Sequence, residues 1–500
     1  MAVSIALLSC AIVAYTLWWY IKQLQDPSRA VPGPAIARFT RLWYLYRIWL
    51  GNWNSDIVQL HRKYGKIFRY APGQYSFSDP AAIKSMHGYG AGFEKTPAYD
   101  AWNAPGTVTL FSSVSNKTHG QLRKKYQHMY SMSNALTYEE SVDSCVALFS
   151  SKLEEREGQQ IDITSWIHCF VSDAMALLTF GKRFGSLDKG EDIGGFSVFV
   201  RGVARYATFM GVMVEWHWLY WSVASLLSKL TSSTGTARLY LNQFAMASIG
   251  RRREERASGS AKQVDVPNTM LDQFLDANEK DPAEFETRHI MIGLGGNIVA
   301  GSDTTSTAVT AILFYLLKTP EAMKQVRSEI LAKVKANGSA SSLEMTDLQA
   351  LPYLNAVVTE CMRLFPQTGL GLPRQVPDSG AEISGHAFTA GSVVSMSSWA
   401  AHYDEDNFGA DAAVFRPERW LEIDQEQKDR MNKAWFPFGL GSRTCLGRNI
   451  ATLIMLKGLA SMLTRFDFEL QGSERTLEHP KAIADWVIRT DKMLVTVRCI

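Results

Sequence analysis

The feature that most constrains the fold is one long apolar segment, residues 286–318. Its pattern predicts a single helix of about 33 residues, which at about 1.5 Å per residue would run the length of a domain. The helix is apolar on nearly every side, and such a helix is stable only when other elements surround it. We therefore expect it in the middle of the fold.

The remaining sequence predicts mainly helices around that centre. A chain of 500 residues with 46% hydrophobic and 20% charged residues can bury a sizeable core. Strand-like pieces occur near 66–78, 382–396 and 493–499. No internal repeat is found, so we expect one large, mainly α domain with a minor β-sheet region. Apolar spacings of three and four place further helices at 121–136, 142–156, 165–180, 236–257, 320–336, 352–364 and 446–465.

Charge and cysteine usage exclude two classes of protein. Fifty-two basic and forty-nine acidic side chains leave a formal charge of +3, which is too balanced for nucleic-acid binding to be the main function. The cysteines show no CxxC pair and no regular spacing, a pattern typical of reduced thiols rather than of a disulfide framework. They are Cys10, Cys145, Cys169, Cys361, Cys445 and Cys499.

The N-terminus has the composition of a membrane anchor. Residues 2–21 contain no charged side chain and match the ~20 residues that a helix needs to cross the hydrocarbon core. A cleaved signal peptide is the alternative, but the positive n-region and the small-residue cleavage site are missing. Pro32-Gly33-Pro34 then stiffens the chain. The sequence predicts a transmembrane anchor at 1–21, a hinge at 22–40 and one large domain at 41–500. Basic residues after the span predict a cytosolic body, namely Lys22, Arg29, Arg38 and Arg41.

Polar residues interrupt the centre of the long helix. Asp303 and Thr304, followed by two more hydroxyl side chains, come directly after Ala300-Gly301-Ser302. One interpretation is that the hydroxyls bond to the carbonyl one turn earlier. The other is that the small residues thin the helix beside a bulky group, where a buried carboxyl next to a hydroxyl conducts protons. The residues alone leave both open.

A second polar group lies in the predicted helix 352–364. Glu360 and Arg363 are three residues apart on one face. A surface ion pair contributes under about 1 kcal/mol, but this helix is otherwise apolar, which favours burial. A buried pair needs additional partners, and we expect Arg419 in FRPERW to be the third member. The expected role of the three residues is structural.

The loop FGLGSRTCLG, residues 438–447, holds Cys445 between glycines, just before an apolar helix. Gly441 and Gly447 allow the backbone amides to approach the sulfur, and the positive end of the helix faces the same atom. These features favour a thiolate. A Cys-His pair, a phosphate loop and a zinc site each lack required residues nearby. Single axial ligation of haem iron remains.

Four motifs, in order, make the sequence resemble the cytochrome P450 family over essentially all of residues 30–500. Residues 438–447 fit FxxGxRxCxG, residues 300–305 fit AGxDTT, residues 360–363 fit ExxR and residues 415–420 fit FxPERF/W. Each motif is weak alone. Their common order behind an anchor and a proline hinge makes the resemblance specific, and it implies the cytochrome P450 fold.

The resemblance implies a haem b site and assigns roles to residues. Cys445 would be the proximal thiolate ligand, in the turn that Gly441 and Gly447 form. Asp303 and Thr304 would pass protons to dioxygen at the iron. Four basic residues would neutralise the haem propionates, namely Arg443, Arg374 in GLPRQVP, and His119 with Arg123 in HGQLR.

The resemblance also implies monooxygenation of an apolar small organic substrate by O2, through hydroxylation, epoxidation or demethylation. Electrons would come from NADPH through a separate NADPH-cytochrome P450 reductase. The protein would be a single-pass protein of the endoplasmic reticulum membrane, with its catalytic domain facing the cytosol. The alternatives are a P450-fold peroxide isomerase or dehydratase and a noncatalytic haem sensor, and the retained Asp303 and Thr304 disfavour both.

Four further features are interpreted through the resemblance. The aromatic stretch 214–221 either packs in the core or contacts the membrane. The helix face of His119 and Arg123 is either solvated or in contact with haem. A cationic surface of Lys124, Lys125, Lys433 and Arg448 would dock an acidic reductase. The FRPERWLE element resembles fungal family members that modify secondary metabolites, such as the pisatin demethylase group.

Overall fold

In the computed structural model, the described residues are 27–228, 235–258, 268–337 and 343–500, together with a few positions among the first 21. The predicted anchor at 1–21 lies largely outside them, and the positions described there, such as Trp18, are helical and exposed. Among the described residues, one helix, Ile163–Phe180, has the length and hydropathy of a membrane span, but 83% of it is buried inside the protein. It is therefore a core helix.

The fold is mainly α, as the sequence predicts. Its centre is the helix Thr287–Lys318, called here the central helix, which is buried along most of its length. The helix Ile163–Phe180, called here the flanking helix, packs along it. The α-helices are Leu42–Trp49, Trp53–Tyr64, Ala81–His87, Asn116–Tyr126, Met132–Thr137, Glu139–Glu154, Ile163–Phe180, Ser186–Lys189, Phe196–Val212, His217–Ser228, Gly235–Ala257, Met270–Lys280, Thr287–Lys318, Pro320–Ala336, Met345–Gln349, Pro352–Leu364, Ser398–His402, Glu405–Phe408, Gln425–Ala434 and Arg448–Arg465.

Four small sheets lie beside the helices. The largest has five strands in the order β1-β2-β8-β5-β3, a second has three in the order β4-β12-β9, and two hairpins pair β6 with β7 and β10 with β11. In the antiparallel pair of β3 and β5, Lys95 lies opposite Arg374. The strands are β1 Ile67–Ala71, β2 Gln74–Phe77, β3 Glu94–Lys95, β4 Gln160–Asp162, β5 Leu372–Gln375, β6 Ala381–Ile383, β7 His386–Phe388, β8 Val393–Met396, β9 Phe466–Leu470, β10 Ala482–Ala484, β11 Ile488–Thr490 and β12 Leu494–Cys499.

The prediction of one helix at 121–136 is wrong. The structure has an α-helix that ends at Tyr126, a 3-10 turn over Gln127–Tyr130 and a new helix from Met132. The break occurs because Ser131 adopts an extended conformation and its hydroxyl accepts a hydrogen bond from the backbone N–H of Asn134. A serine in this position begins a helix rather than continuing one.

The proline segment within the predicted hinge packs against the domain. The backbone N–H of Arg69 in β1 donates to the carbonyl of Pro32 at 2.7 Å. A Cβ at Gly33 would lie 2.3 Å from the Arg69 carbonyl oxygen, so only glycine allows this approach. Val31 is buried as well. The chain is therefore fixed to the sheet before it enters the first helix.

Candidate active site

A stripe of the central helix near its middle is uncovered. Gly296 and Ala300 are exposed and Thr304 is half-buried, although the turns that follow, residues 305–316, are buried. These three small residues are four apart, so they lie on one face. Gly301 faces the flanking helix instead, because a Cβ there would lie 2.5 Å from Cε of Met175. The thin segment predicted from Ala300-Gly301 is thus open on the alanine side.

Asp303 and Thr304 point to different sides of the central helix. A carboxylate oxygen of Asp303 lies 2.8 Å from Nε2 of His168 on the flanking helix. The Thr304 hydroxyl donates to the carbonyl of Ala300 at 2.7 Å, which is the back-bonding interpretation. No hydrogen bond joins the two side chains in the described part of the chain. Sequence analysis did not single out His168, because nothing in the sequence around it indicates a contact with Asp303.

The cysteine loop is held rigidly beside the start of the helix Arg448–Arg465. The N–H of Cys445 donates to the Phe438 carbonyl at 2.8 Å. Gly441 has a φ of +59°, and a Cβ there would lie 2.1 Å from the carbonyl oxygen of His87, so this position requires glycine. Gly447 has no atom within 4 Å of an added Cβ. The two glycines therefore contribute differently to the loop.

The loop and the central helix meet through Tyr130. The amide of Asn449 donates to the Tyr130 carbonyl at 2.9 Å, and the Tyr130 hydroxyl donates to Oδ1 of Asn297 on the central helix. Asn297 lies between Gly296 and Ala300 of the open stripe. The structure thus brings Cys445 and the open stripe into one region.

The surroundings act on the Cys445 thiol in opposite directions. Burial raises its pKa, while the N–H groups of Gly447 and Arg448 and the charges of Arg123 and Arg448 lower it, and the net direction is upward. Its side chain is nevertheless exposed to solvent. Contrary to the sequence interpretation, the loop alone does not favour a thiolate. A coordinated metal deprotonates a thiol outright.

Four cations converge beside this loop. The pKa of the buried His119 falls to about 3, through burial and then the positive charges of Arg443, Lys95, Arg123 and Arg374. We call these four residues the cation cluster. None of the four forms an ion pair with a carboxylate within the described ranges. The site therefore has a strong excess of positive charge.

Hydrogen bonds fix the cation cluster in place. Arg123 donates to the carbonyl of Thr444, next to Cys445, at 2.9 Å. Arg443 donates to the Ser113 and Val114 carbonyls at 2.6 and 2.8 Å, and its Nε is buried with no partner in the described structure. Burial and the charge of Arg374 lower the pKa of Arg443 to about 10.

Lys95 is a member of the cluster that sequence analysis missed. Its Nζ lies 4.1 Å from the ring centroid of Tyr99 and 4.5 Å from that of Phe111. Burial, followed by the charges of Arg374 and Arg443, holds the pKa of Lys95 well below its usual value. The sequence carries no local signal for this role, because the β3–β5 pairing alone brings Lys95 next to Arg374.

These residues fit a haem. Across the described residues, no group of three or more His, Cys, Asp or Glu side chains could hold a metal, so a multi-ligand metal site is not formed there. A single cysteine beside four cations without carboxylate partners, of which Lys95 and Arg374 are buried, instead matches an iron porphyrin, which needs one thiolate and carries two propionates. The donor with no partner, Nε of Arg443, is of the type that pairs with a carboxylate.

Glu360, Arg363 and Arg419 form one buried network. Arg363 donates to both carboxylate oxygens of Glu360 at 2.8 Å, and Arg419 adds a third bond at 2.8 Å. Burial raises the pKa of Glu360, but the arginine charges and hydrogen bonds outweigh it and the net pKa is lowered. The indole of Trp420 and the N–H of Arg416 also donate to this carboxylate.

The aromatic stretch 214–221 is largely on the surface. The side chains of Trp216 and Trp218 are 56% and 67% exposed, and Leu219 and Tyr220 are about half exposed. His217 is the buried member of the group. Core packing therefore does not explain the stretch.

Comparison with known proteins shows to which family the chain belongs. Residues 32–496 match the cytochrome P450 family, so the chain belongs to that family and is a haem-binding monooxygenase that works with a redox partner, O2 and a small-molecule substrate. It is 31% identical to pisatin demethylase of Fusarium vanettenii, with 95% of this chain and 90% of that protein aligned. It is 33% identical to the cytochrome P450 monooxygenase cicH of Emericella nidulans, over 89% of each. The predictions of the family and of a monooxygenase are confirmed.

Proposed function

We propose that this protein inserts one atom of O2 into an apolar, ring-containing small molecule, with Cys445 as the iron ligand. Haem, when bound, supplies the iron that activates dioxygen. The cation cluster carries this proposal, because buried cations without carboxylate partners are costly unless an anionic group compensates them. Arg443, Arg374, Arg123 and Lys95 would hold the propionates.

The polar residues of the central helix would handle protons. Thr304 lies on the open stripe, and the Asp303 carboxylate is one residue away on the same helix. A carboxyl and a hydroxyl in this order can hold and pass a proton while the apolar surroundings exclude bulk water. His119 is neutral at pH 7, since its pKa is about 3, and it would act as a hydrogen-bonding neighbour of the propionates rather than as a charge.

Aromatic residues next to the cation cluster suggest the class of substrate. Trp486 lies 4.9 Å from Tyr99 and 5.7 Å from Trp102 between ring centroids, and Phe111 lies 5.2 Å from Trp102. Such rings favour an aromatic ligand. The indole N–H of Trp102 has no acceptor among the described residues and could donate to a substrate oxygen. An oxygenated aromatic molecule fits both features, and the fungal relatives support a role in secondary metabolism.

Electrons would arrive from NADPH through a separate reductase. Lys124, Lys433 and Arg448 are exposed, and Arg448 lies close enough to Cys445 to lower the pKa of its thiol. Lys125 is partly neutralised by Glu284 at 3.0 Å. Charge reversal at Lys124 and Lys433 should slow reductase-supported turnover, with more effect at low ionic strength. Unchanged turnover would contradict the docking surface.

Membrane attachment would involve more than the predicted anchor at 1–21. The helix Leu42–Trp49 exposes Leu42, Tyr46 and Trp49. Arg41, just before it, donates to the Val212 carbonyl and to Glu215 at 3.0 and 2.9 Å, which joins this helix to the aromatic stretch 214–221. The two form one exposed apolar surface suited to a bilayer interface. This supports contact with a membrane, and we propose the cytosolic face of the endoplasmic reticulum membrane.

The test is turnover of a compound panel by the reductase-coupled enzyme. The panel contains aromatic ethers and aliphatic ethers of matched size, and mass spectrometry detects a gain of one oxygen or the loss of a methyl group. We expect products from the aromatic members. Trp102→Phe, which keeps the ring and removes the N–H, should weaken binding of oxygenated members only. Preference for the aliphatic compounds would contradict the proposed substrate class.

A further inference from the structure

The carboxylate of Asp303 is anchored from outside the open stripe. Its Oδ1 lies 2.8 Å from Nε2 of His168, and the Asp303 side chain is 9% exposed. A carboxylate only accepts hydrogen bonds, so Nε2 of His168 carries the hydrogen. No other side chain is within hydrogen-bonding or ion-pairing distance of this carboxylate in the described part of the molecule.

The second nitrogen of His168 also has a hydrogen-bonding partner. Nδ1 lies 3.4 Å from the hydroxyl of Ser172, one turn further along the flanking helix. The imidazole ring is therefore oriented from both sides, and its side chain keeps 16% of its surface accessible. A ring held in this way presents a fixed donor to Asp303. The packing of the two helices keeps that donor at a constant distance from the central helix.

The hydrogen bond from His168 is important because of the orientation of Asp303. Thr304 faces the open stripe, while the Asp303 carboxylate is turned to the flanking helix. To serve Thr304, the carboxylate must leave one well-defined orientation for another, and a group misplaced by about 1 Å can cost roughly a hundredfold in rate. Without His168 the carboxylate would also be a buried charge with no partner, which is strongly unfavourable.

We propose that His168 is a positioning residue for proton delivery, acting through Asp303. This inference rests on the proposed proton role of Asp303 and Thr304. In this proposal His168 acts on Asp303 and not on substrate or cofactor. Its N–H bond fixes the orientation from which Asp303 turns toward Thr304, so the donor function of His168 is required.

The experiment measures how dioxygen is divided between water and peroxide, so it needs no identified substrate. The holoenzyme is supplied with a fungal reductase, NADPH and O2, and the consumption of NADPH and O2 and the formation of peroxide are recorded. Reduction to peroxide uses one NADPH per O2, and reduction to water uses two. Only the second path requires protons to be delivered for cleavage of the O–O bond.

Four variants separate the possible roles. Asp303→Asn should lower the rate of water formation about a hundredfold, the low end of what a positioned acid contributes. His168→Leu should lower it about tenfold, because the carboxylate remains but loses its orientation. His168→Gln, which keeps an N–H donor, should recover most of the loss. The double variant should be no worse than Asp303→Asn alone, since His168 acts through Asp303.

The controls are the carbonyl spectrum of each variant, which should match that of the parent, and the thermal midpoint, which should match it in Asp303→Asn and His168→Gln. Parent-like water formation in His168→Leu, or a double variant with the product of both losses, would overturn the role of His168. If Asp303→Asn itself leaves water formation unchanged, both the proton role of Asp303 and the inference fail. If His168→Leu has a changed thermal midpoint, the comparison rests on His168→Gln, whose failure to retain water formation would overturn the proposal.

Discussion

The network around Glu360 allows the size of a loss in folding stability to be predicted. We consider Glu360→Gln, which keeps the shape of the side chain but removes its charge. The carboxylate accepts five hydrogen bonds, two from Arg363 and one each from Arg419, Trp420 and the N–H of Arg416. The glutamine amide nitrogen cannot accept any of them, so two buried guanidinium groups lose their shared counter-charge.

The expected cost is about 3 kcal/mol. Removing one partner of a buried ion pair usually costs about 3–5 kcal/mol. The lower end applies because both arginines keep other acceptors: Arg363 bonds the carbonyl of His402 at 2.7 Å and Arg419 bonds Asp411 at 2.9 Å. Urea titration followed by far-ultraviolet circular dichroism gives the free energy of unfolding. The matched control is Glu426→Gln at an exposed position, which should change stability by less than about 0.5 kcal/mol.

The same substitution should disturb the cysteine loop. His402 connects the network to that loop, because its Nδ1 donates to the Arg363 carbonyl at 2.9 Å and its Nε2 accepts from the N–H of Phe436 at 3.1 Å. Both contacts fit the neutral ring, and burial lowers the pKa of His402 to about 3. We expect a smaller fraction of Glu360→Gln to show the thiolate-type carbonyl spectrum.

The pH dependence gives an independent check. The pKa of Glu360 is lower in the folded protein than in the unfolded chain, so its stabilisation is present above the unfolded value of about 4.3 and is lost as the pH falls through the folded value. The gap between parent and Glu360→Gln should therefore narrow in acid. A loss below about 1 kcal/mol at pH 7, as at a surface pair, or a gap that widens in acid, would refute the reasoning.

Three further predictions test the site. Gly441→Ala should destabilise the loop by more than about 1 kcal/mol in urea titrations, because φ is positive and His87 blocks the added Cβ. Gly447→Ala should be tolerated, and equal effects of the two substitutions would contradict this reasoning. Lys95→Met should speed haem transfer to apomyoglobin about tenfold through loss of one charge-assisted bond, and it should not lower the stability of the apoprotein. The exposed control Lys124→Met should change neither the transfer rate nor the stability. Cys445→Ala should abolish the thiolate-type carbonyl spectrum, and an unchanged spectrum would exclude Cys445 as the ligand.

The sequence predicted those parts of the fold that local patterns determine. The helices Pro320–Ala336 and Pro352–Leu364 were predicted to the residue, because each begins with a proline at its first position and carries a regular apolar face. The central helix was misplaced by one residue at its start. Strands such as β3, with two residues, and β10, with three, are too short to show a period of two. Their order depends on pairing, of β3 with the distant β5 and of β10 with the adjacent β11.

The residues of the candidate site also differ in whether local sequence patterns could identify them. Cys445 and Arg443 stand in one short motif, and the sequence predicts both from it. Lys95 and His168 depend on contacts between elements far apart in the chain, and neither has a distinctive neighbour in sequence. The direction of the Asp303 side chain also could not be predicted, because residues 303 and 304 lie about 100° apart on a helix and only the packing of the flanking helix decides which one faces it.

The cation cluster should couple haem binding to folding. Lys95 and Arg443 both have lowered pKa values, with burial as the first cause and neighbouring positive charge as the second, so the protein without an anion holds these charges at a cost in stability. A bound dianionic group removes that cost, and a ligand that binds only the folded state stabilises it in proportion to the logarithm of its concentration over its dissociation constant. The haem-loaded protein should therefore be much more stable than the apoprotein. Lys95→Met should make this difference in stability smaller, because it removes an unfavourable charge from the apoprotein and a stabilising contact from the haem-loaded protein. A difference unchanged by this substitution would mean that Lys95 does not contact the propionates.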